Sequence, residues 1–209
     1  MGRSCLILGA APCQNPEFYL QFLEQDTLVI CADGGIETAR RAGITPHIWV
    51  GDGDSGHVPE GTETIVLPCE KDHTDLYHAV EIALERGCTE LVLGGASGGR
   101  ADHWLVNVGL LESLAARKVS AMLAEPQNLC FWHSGGSMNV KQREGYRYLS
   151  IIAMDAELRG VTLRGFRYPL TGATVLRRDP IAVSNEFLVQ EGIIEIQAGN
   201  ALIIFSRDV

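Results

Sequence analysis

The chain of 209 residues has no Cys-x-x-Cys pair, no long apolar run and no excess of positive charge. Without paired motifs, its six cysteines are interpreted as buried free thiols in a reducing compartment. Because no apolar run approaches the length of a membrane span, we expect no membrane partner. The formal net charge of −9 argues against a general nucleic-acid binder, which needs a basic surface. These absences together predict a cytoplasmic protein.

Residues 1–126 alternate short apolar runs with helical patterns. Six apolar runs bounded by glycine or polar residues have the length of buried strands, namely residues 6–8, 28–31, 48–50, 65–67, 91–93 and 121–123. Between them, Leu76, Ala79, Val80 and Ala83 keep the spacing of an amphipathic helix that ends at Gly87. This alternation predicts an α/β domain with an open, mostly parallel sheet flanked by helices.

Residues 127–209 lack helical stripes and indicate a second, all-β domain. Strand-like segments, several of them alternating with period two, occur at residues 148–154, 160–166, 181–187, 192–197 and 201–206. Gly199-Asn200 fits a two-residue hairpin turn, and the polar residues 134–145 are typical of a loop near the domain junction. The pattern predicts a small sandwich or barrel after an α/β domain of residues 1–126.

Four polar clusters follow predicted strands of the first domain. Ligands of open parallel sheets bind beyond the carboxyl ends of the strands, so these clusters should meet at one edge. The clusters are "CADGG", "VGDGDSG", "KDHTD" and "GGASGGRADH". Each has an ordinary structural interpretation: Asp72, for example, could be a helix N-cap with Asp75 at the third helical position. The glycine-rich residues 94–99 fit a plain loop, or a backbone cradle for phosphate beside Arg100.

The aspartates of these clusters would repel one another if they met at one edge of the sheet. Two carboxylates ~4 Å apart cost about 4 kcal/mol at an effective dielectric constant near 20, so a cation is expected to offset them. Carboxylate oxygens favour Mg²⁺, which commonly bridges protein acids to phosphates. We therefore predict that Asp52 and Asp54 hold a metal ion that carries the phosphates of a nucleotide.

The ordered motifs "ADGG", "GDGDS", "KDHTD" and "GGRADHWLVN", with "VSNEF" in the β-rich tail, resemble the thiamine pyrophosphokinase family. The resemblance covers nearly the whole chain and implies an N-terminal α/β domain with a C-terminal β-sandwich. It also implies a homodimer whose thiamine site lies between the α/β domain of one subunit and the sandwich of the other. The implied reaction converts thiamine and ATP, with Mg²⁺, to thiamine diphosphate and AMP.

The resemblance also implies roles for individual residues. The catalytic set is Asp52, Asp54, Asp72, Asp75, Arg100 and Asp102, among which Asp52, Asp54 and Asp75 bind Mg²⁺. We expect the nucleotide to be bound by Asp33, Gly34, Gly35, Lys71, Gly98, Gly99, His103 and Asn107. Ser184 and Asn185 would contact the pyrimidine end of thiamine. Gly53 departs from the family pattern, which usually has a larger, often apolar residue between the paired aspartates.

Two other functions remain open from the residues alone. The carboxylates would also suit a Mg²⁺-dependent hydrolase of nucleotides or phosphate esters, or a nucleotide-sensing module without turnover. Within the transferase hypothesis, either Asp72 or Asp102 could accept the proton of the thiamine hydroxyl.

Overall fold

The computed structural model describes residues 2–53 and 57–208, and the chain divides into two compact units, Met1–Pro126 and Gln127–Val209. The helices of the first unit are a 3₁₀ helix (Pro16–Phe22), α1 (Gly35–Ala42), α2 (Asp75–Glu85) and α3 (Ala101–Ala116). Its strands are β1 (Arg3–Leu8), β2 (Leu28–Ala32), β3 (Ile48–Gly51), β4 (Glu63–Val66), β5 (Cys88–Gly94) and β6 (Ser120–Glu125). In the described part of the chain, no helix combines the length and apolar character that a membrane span requires.

The strands of the first unit follow the order β6-β5-β1-β2-β3-β4, and neighbouring strands pair in parallel. All residues of β2 and β3 are buried, as expected for strands covered on both faces. The core on one face packs Leu6 and Leu8 of β1 against Tyr19 and Trp49. The carboxyl ends of β1, β2 and β5 therefore lie side by side.

Helix α1 packs unusually close to the end of β1. A Cβ atom placed on Gly35 would lie 1.9 Å from the carbonyl oxygen of Leu8, so no other residue fits without movement of the backbone. The helix buries Ile36 and Ala39 and exposes Arg40, as its amphipathic pattern requires. Gly35 thus allows the amino end of α1 to approach the carboxyl edge of the sheet.

The second unit contains antiparallel strands, which makes the strand pairing of the chain as a whole mixed. These strands are β7 (Asn128–His133), β8 (Gly136–Lys141), β9 (Tyr148–Ala153), β10 (Glu157–Arg164), β11 (Leu170–Leu176), β12 (Asn185–Glu186), β13 (Glu191–Ile196) and β14 (Ala201–Ser206). One set follows the order β12-β9-β14-β7 and the other β11-β10-β13-β8. Buried residues alternate along β13, at Ile194 and Ile196, which is consistent with a sandwich.

Three details predicted from the sequence of this unit are wrong. Residues 136–141, predicted as loop, form β8, an edge strand whose alternate residues are polar because only one side packs against the unit. Gly199-Asn200 does not close a hairpin, because β13 and β14 belong to different sheets. Asn200 instead donates its backbone N–H to Asp155 Oδ2 at 2.8 Å. Within residues 181–187, only Asn185–Glu186 is a strand.

Candidate functional site

A cleft of about 330 Å³ lies at the carboxyl ends of β1, β2 and β5 in the first unit. Its walls come from residues 9–12 after β1, from Ala32 and Asp33 at the end of β2, and from residues 74–76 at the start of α2. The loop after β5 and the first turns of α3 complete it. This is where ligands of open α/β sheets bind.

Several of the predicted site residues line this cleft. They are Asp33, Asp75, Gly99, Arg100, His103 and Asn107, which come from three separate parts of the sequence. Gly34 and Gly35 do not line it; they form the N-cap and first residue of α1. Gly98 lies in the same loop as Gly99 and has a positive φ of 93°, which favours glycine.

Asp33 is held in the cleft wall by a backbone conformation that few residues adopt. Its φ is +49°, in the left-handed region, where aspartate is one of the better tolerated residues. Its backbone N–H donates to the carbonyl of Val50 at 2.8 Å, and its own carbonyl accepts from the indole N–H of Trp49 at 3.1 Å. Two residues of the neighbouring strand β3 thereby fix Asp33, which suits a binding role.

Asp75 is the first residue of α2 and forms an ion pair beside the cleft. Lys71 Nζ lies 2.8 Å from Asp75 Oδ1. This contact raises the pKa of Lys71, and the nearby negative charge of Asp52, just after β3, raises it further. Lys71, Asp75 and Asp52 therefore form one electrostatic group. Asp72 lies outside it and is exposed.

The N-cap of α2 is Thr74 and not Asp72, the alternative that the sequence allowed. Thr74 Oγ1 accepts a hydrogen bond from the backbone N–H of Tyr77 at 3.2 Å. This leaves Asp75 at the first helical position, where a carboxylate is stabilised by the helix dipole. Thr74 and Asp75 consequently lie together at the amino end of α2, where the helix borders the cleft.

The donor set beside the cleft suits a hard divalent cation. Asp75 Oδ1 is buried and lies 2.8 Å from Lys71 Nζ, so a cation bound here would share this carboxylate with the ammonium group. Among residues 2–53 and 57–208, no three His, Cys, Asp or Glu side chains come close enough to hold a metal together. Asp54, one of the three predicted Mg²⁺ ligands, lies outside the described residues. The trio Asp52, Asp54 and Asp75 thus stays a prediction.

Arg100 and Asp102 form a forked ion pair at the start of α3. Arg100 Nε and Nη2 donate to the two carboxylate oxygens of Asp102 at 3.1 and 2.5 Å. These bonds, with one from the backbone N–H of His103, lower the pKa of Asp102 to about 2. A carboxylate with so low a pKa is a weak base, whereas general bases work best with a pKa near the working pH. Asp102 is better suited to orienting Arg100.

For the glycine-rich loop after β5 the sequence allowed a plain loop or a phosphate cradle, and the structure limits the second alternative to part of the loop. The backbone N–H groups of Gly95, Ala96 and Ser97 donate to the hydroxyl of Tyr19 and the carboxylate of Glu125. The amides available to phosphate therefore begin at Gly98. Sequence reasoning missed Tyr19 and Glu125, although Glu125 is an acid at the end of a strand, the signal that identified the aspartates.

Ser184 and Asn185, the predicted thiamine contacts, lie in the second unit. Ser184 is exposed, has a positive φ of 57°, and donates its backbone N–H to Ser150 Oγ at 2.9 Å. Asn185 is only 3% exposed. Its Oδ1 accepts from the backbone N–H of Tyr168 at 2.9 Å, and its Nδ2 donates to the Tyr168 carbonyl at 2.8 Å. Asn185 thus holds the chain at Tyr168, next to the exposed Ser184.

Comparison with known families matches both units. Residues 19–123 match the model described as "Thiamin pyrophosphokinase, catalytic domain". Residues 137–203 match the model described as "Thiamin pyrophosphokinase, vitamin B1 binding domain". The two matches follow the order and approximate limits of the two compact units.

Individual relatives agree with these matches. A thiamine pyrophosphokinase of Bacillus subtilis (strain 168) is 31% identical over 194 residues, which cover 90% of this chain and 91% of the relative. A crystal structure of thiamine pyrophosphokinase from Bacillus subtilis has a TM-score of 0.90 at 27% identity and covers 99% of this chain and 100% of its own. One from Geobacillus thermodenitrificans has a TM-score of 0.85 at 29% identity, covering 98% and 97%. Since the similarity in sequence and structure extends over both units, the chain belongs to the thiamin pyrophosphokinase family.

Proposed function

We propose that this protein transfers the pyrophosphoryl group of ATP to the hydroxyl of thiamine, giving thiamine diphosphate and AMP. The observation that carries this function is the cleft where Asp33, Asp75 and Arg100 meet at the carboxyl edge of the sheet. An acid pair, a guanidinium and the amino end of a helix are groups that bind the phosphates of a nucleotide with its metal.

The two units divide this work. The first, with an open and mostly parallel sheet, binds the nucleotide and metal, and the second, a β-sandwich, binds thiamine and contributes to dimerisation. The descriptions of the two matched domain models, a catalytic domain and a vitamin B1 binding domain, support this division. A cytoplasmic location is supported by the six cysteines, all free thiols, of which only Cys69 is exposed.

The ligands are assigned to the residues predicted from the sequence. Asp33, Lys71, Gly98, Gly99, His103 and Asn107 form the nucleotide site, and Gly34 and Gly35, at the start of α1, support it next to Asp33. Asp52, Asp54 and Asp75 hold Mg²⁺. Ser184 contacts the pyrimidine end of thiamine. Asn185, whose amide has one N–H left after its bonds to Tyr168, supports Ser184 and can donate to the same ring.

The chemistry requires mainly positioning and charge stabilisation. The thiamine hydroxyl attacks the β-phosphorus of ATP, the bond to the α-phosphate oxygen breaks, and AMP leaves. Arg100 and Lys71 hold phosphate oxygens in line for this attack, and Asp102 orients Arg100. Asp72, which is exposed and outside the Arg100 fork, accepts the hydroxyl proton. Mg²⁺, when bound, would neutralise part of the negative charge on the transferred group.

Formation of AMP from ATP is expected to require both thiamine and a divalent cation. The assay couples AMP production to a spectroscopic signal and omits thiamine, Mg²⁺, or both, with EDTA added to the metal-free samples. Since the acids of the cleft repel one another and the phosphates without a cation, EDTA should abolish turnover and added Mg²⁺ should restore it. Phosphate or ADP released without thiamine would instead indicate a hydrolase. Tight Mg·ATP binding without any product would indicate a sensing module.

A homodimer is proposed because both units expose apolar side chains. Trp104, Leu105 and Val106 follow one another on α3, with Leu105 62% exposed, and Leu188 of the second unit is 68% exposed. Exposed apolar patches on a folded chain mark interaction surfaces. Light scattering after size-exclusion chromatography should give twice the chain mass of 22.7 kDa. Leu105→Glu and Leu188→Glu should each shift the mass toward the monomer, and a wild-type monomer at micromolar concentration would contradict the proposal.

A further inference from the structure

Glu125 ends β6 at the level of the loop that follows β5. The two strands are parallel, with Leu91 opposite Ala121 and Leu93 opposite Leu123. Two residues further on, this register brings Glu125 level with Gly95, and Glu125 points to the same face as Leu123. Its side chain is 7% exposed. A carboxylate is therefore buried directly beneath one wall of the nucleotide cleft.

This carboxylate and the hydroxyl of Tyr19 together bind three consecutive backbone N–H groups. Glu125 Oε1 accepts from Ala96 at 2.8 Å and from Ser97 at 3.0 Å. Glu125 Oε2 accepts from the hydroxyl of Tyr19 at 2.9 Å, and that hydroxyl accepts from the N–H of Gly95 at 2.8 Å. The backbone of residues 95–97, which lines the cleft, is thereby fixed by two buried side chains that do not line it.

The ring of Tyr19 packs so close to the backbone of residue 94 that this residue must be glycine. The Tyr19 ring is completely buried, and a Cβ atom on Gly94 would lie 2.2 Å from its Cε1 atom. The same loop also binds two other walls of the cleft: the N–H of Ala11 donates to Gly95 O at 2.9 Å, and Asn107 Nδ2 donates to Ala96 O at 2.8 Å. The loop of residues 95–97 is thus bonded to the segment after β1 and to α3, and its position affects all three of these walls of the cleft.

The electrostatic cost of this arrangement argues against a role in stability alone. Burial raises the pKa of the Glu125 carboxyl, against the opposing effect of the hydrogen bonds from Ala96, Tyr19 and Ser97. Burying a carboxylate is unfavourable unless its hydrogen bonds are complete. Here they serve a loop that carries Gly98, Gly99 and Arg100 directly after it.

We propose that Glu125, acting with Tyr19, is a positioning residue that sets the loop of residues 95–97 so that Gly98, Gly99 and Arg100 meet the phosphates of ATP. The effect that we expect on turnover rests on the proposed pyrophosphoryl transfer. The effect that we expect on nucleotide binding does not depend on it. The positioning role concerns the nucleotide, because Gly98, Gly99 and Arg100, which follow this loop, are the groups assigned to the phosphates of ATP.

Glu125→Gln tests the proposal with little change in size. The glutamine amide presents a donor where the Tyr19 hydroxyl needs an acceptor, so the loop loses part of its support. We expect the KM for ATP and the Kd of Mg·ATP, measured by calorimetry without thiamine, each to rise about tenfold. The KM for thiamine should stay within about twofold of the wild-type value, because Ser184 and Asn185, the residues assigned to thiamine, belong to the second unit.

Tyr19→Phe provides a second variant that keeps the buried carboxylate. It removes the acceptor for the Gly95 N–H and the donor to Glu125, so it should also raise the Kd of Mg·ATP, by about fivefold. If Glu125→Gln fails to fold, this variant decides the question. A folded variant of either kind with wild-type Kd and KM for ATP overturns the proposal.

Thr27→Val is the matched control for loss of a buried hydrogen-bonding group. Thr27 precedes β2 at the opposite edge of the sheet, is buried, and pairs with Ser4 Oγ at 2.9 Å and with the N–H of Glu24 at 2.9 Å. It should lower the melting temperature without changing the Kd of Mg·ATP. If the control weakens ATP binding as much as Glu125→Gln, the effect is general destabilisation and the positioning role is wrong. If the wild type binds Mg·ATP but forms no AMP with thiamine, the proposed function fails, while the comparison of Kd values still decides the role of Glu125.

Discussion

Asp75→Asn is expected to lower kcat/KM for pyrophosphoryl transfer by about a hundredfold or more. The substitution removes the charge at the first position of α2 but keeps the shape of the side chain. Lys71, whose Nζ lies 2.8 Å from Asp75 Oδ1, would lose its ion-pair partner and interact mainly with Asp52. Because the acids and Lys71 form one group, both metal binding and the placement of phosphate should suffer.

Two measurements separate this effect from a loss of folding. Titration with Mg²⁺ at saturating ATP should show a higher half-saturating concentration for Asp75→Asn than for the wild type. Glu37→Gln is the matched control, since Glu37 is also an acid in the first turn of a helix, paired with Arg40 away from the cleft. The control should keep wild-type kcat/KM. Activity of Asp75→Asn within about threefold of the control would exclude a catalytic role for this carboxylate.

Arg100→Ala is expected to reduce kcat/KM by about 10²- to 10³-fold, the range found when one preorganised donor to developing charge is removed. Arg100 lines the cleft, and its two bonds to Asp102 hold its planar group in one orientation. Arg100→Lys should recover only a small part of the loss, because an ammonium cannot form the same fork. Asp102→Ala should have a smaller effect, about tenfold, because Arg100 keeps its charge but loses its orientation.

The control for Arg100 is an arginine with the same local geometry elsewhere in the first unit. Arg40 Nε and Nη2 bind the two carboxylate oxygens of Glu37 at 2.8 and 2.7 Å, and this pair is also exposed. Arg40→Ala removes the same charge and the same kind of fork without altering the cleft. Equal activity of the two alanine variants would show that Arg100 does not contact the substrate. If Asp102→Ala lowers kcat/KM more than Arg100→Ala does, Asp102 would again be the candidate proton acceptor.

Two predictions from the sequence agree with the structure, because each combines a local sequence pattern with a general rule about how strands or helices pack. Asp33, Asp75 and Arg100 each follow a different strand, and the rule that ligands bind at the carboxyl edge of a parallel sheet was enough to bring them together. The buried stripe of α2, with Leu76, Ala79, Val80 and Ala83, was predicted for the same reason, since helical periodicity is a local signal.

The misses have a different physical origin. Thr74 competes with Asp72 as the cap of α2, and the choice depends on the path of the chain into the helix, which composition does not reveal. The hairpin expected at Gly199-Asn200 depends on which sheet each strand joins, a long-range property. Tyr19 and Glu125 form a pair only through the register of β6 on β5 and the close approach of Gly94.

The pairing of Tyr19 with Glu125 also bears on the order in which the protein is made. The two residues are 106 positions apart, and the second stands one residue before the end of the first unit. During synthesis, the aromatic hydroxyl therefore leaves the ribosome long before the carboxylate that completes its bonds. Such distant contacts close late in folding. A growing chain therefore cannot complete the bonds that hold residues 95–97 until the sixth strand has emerged.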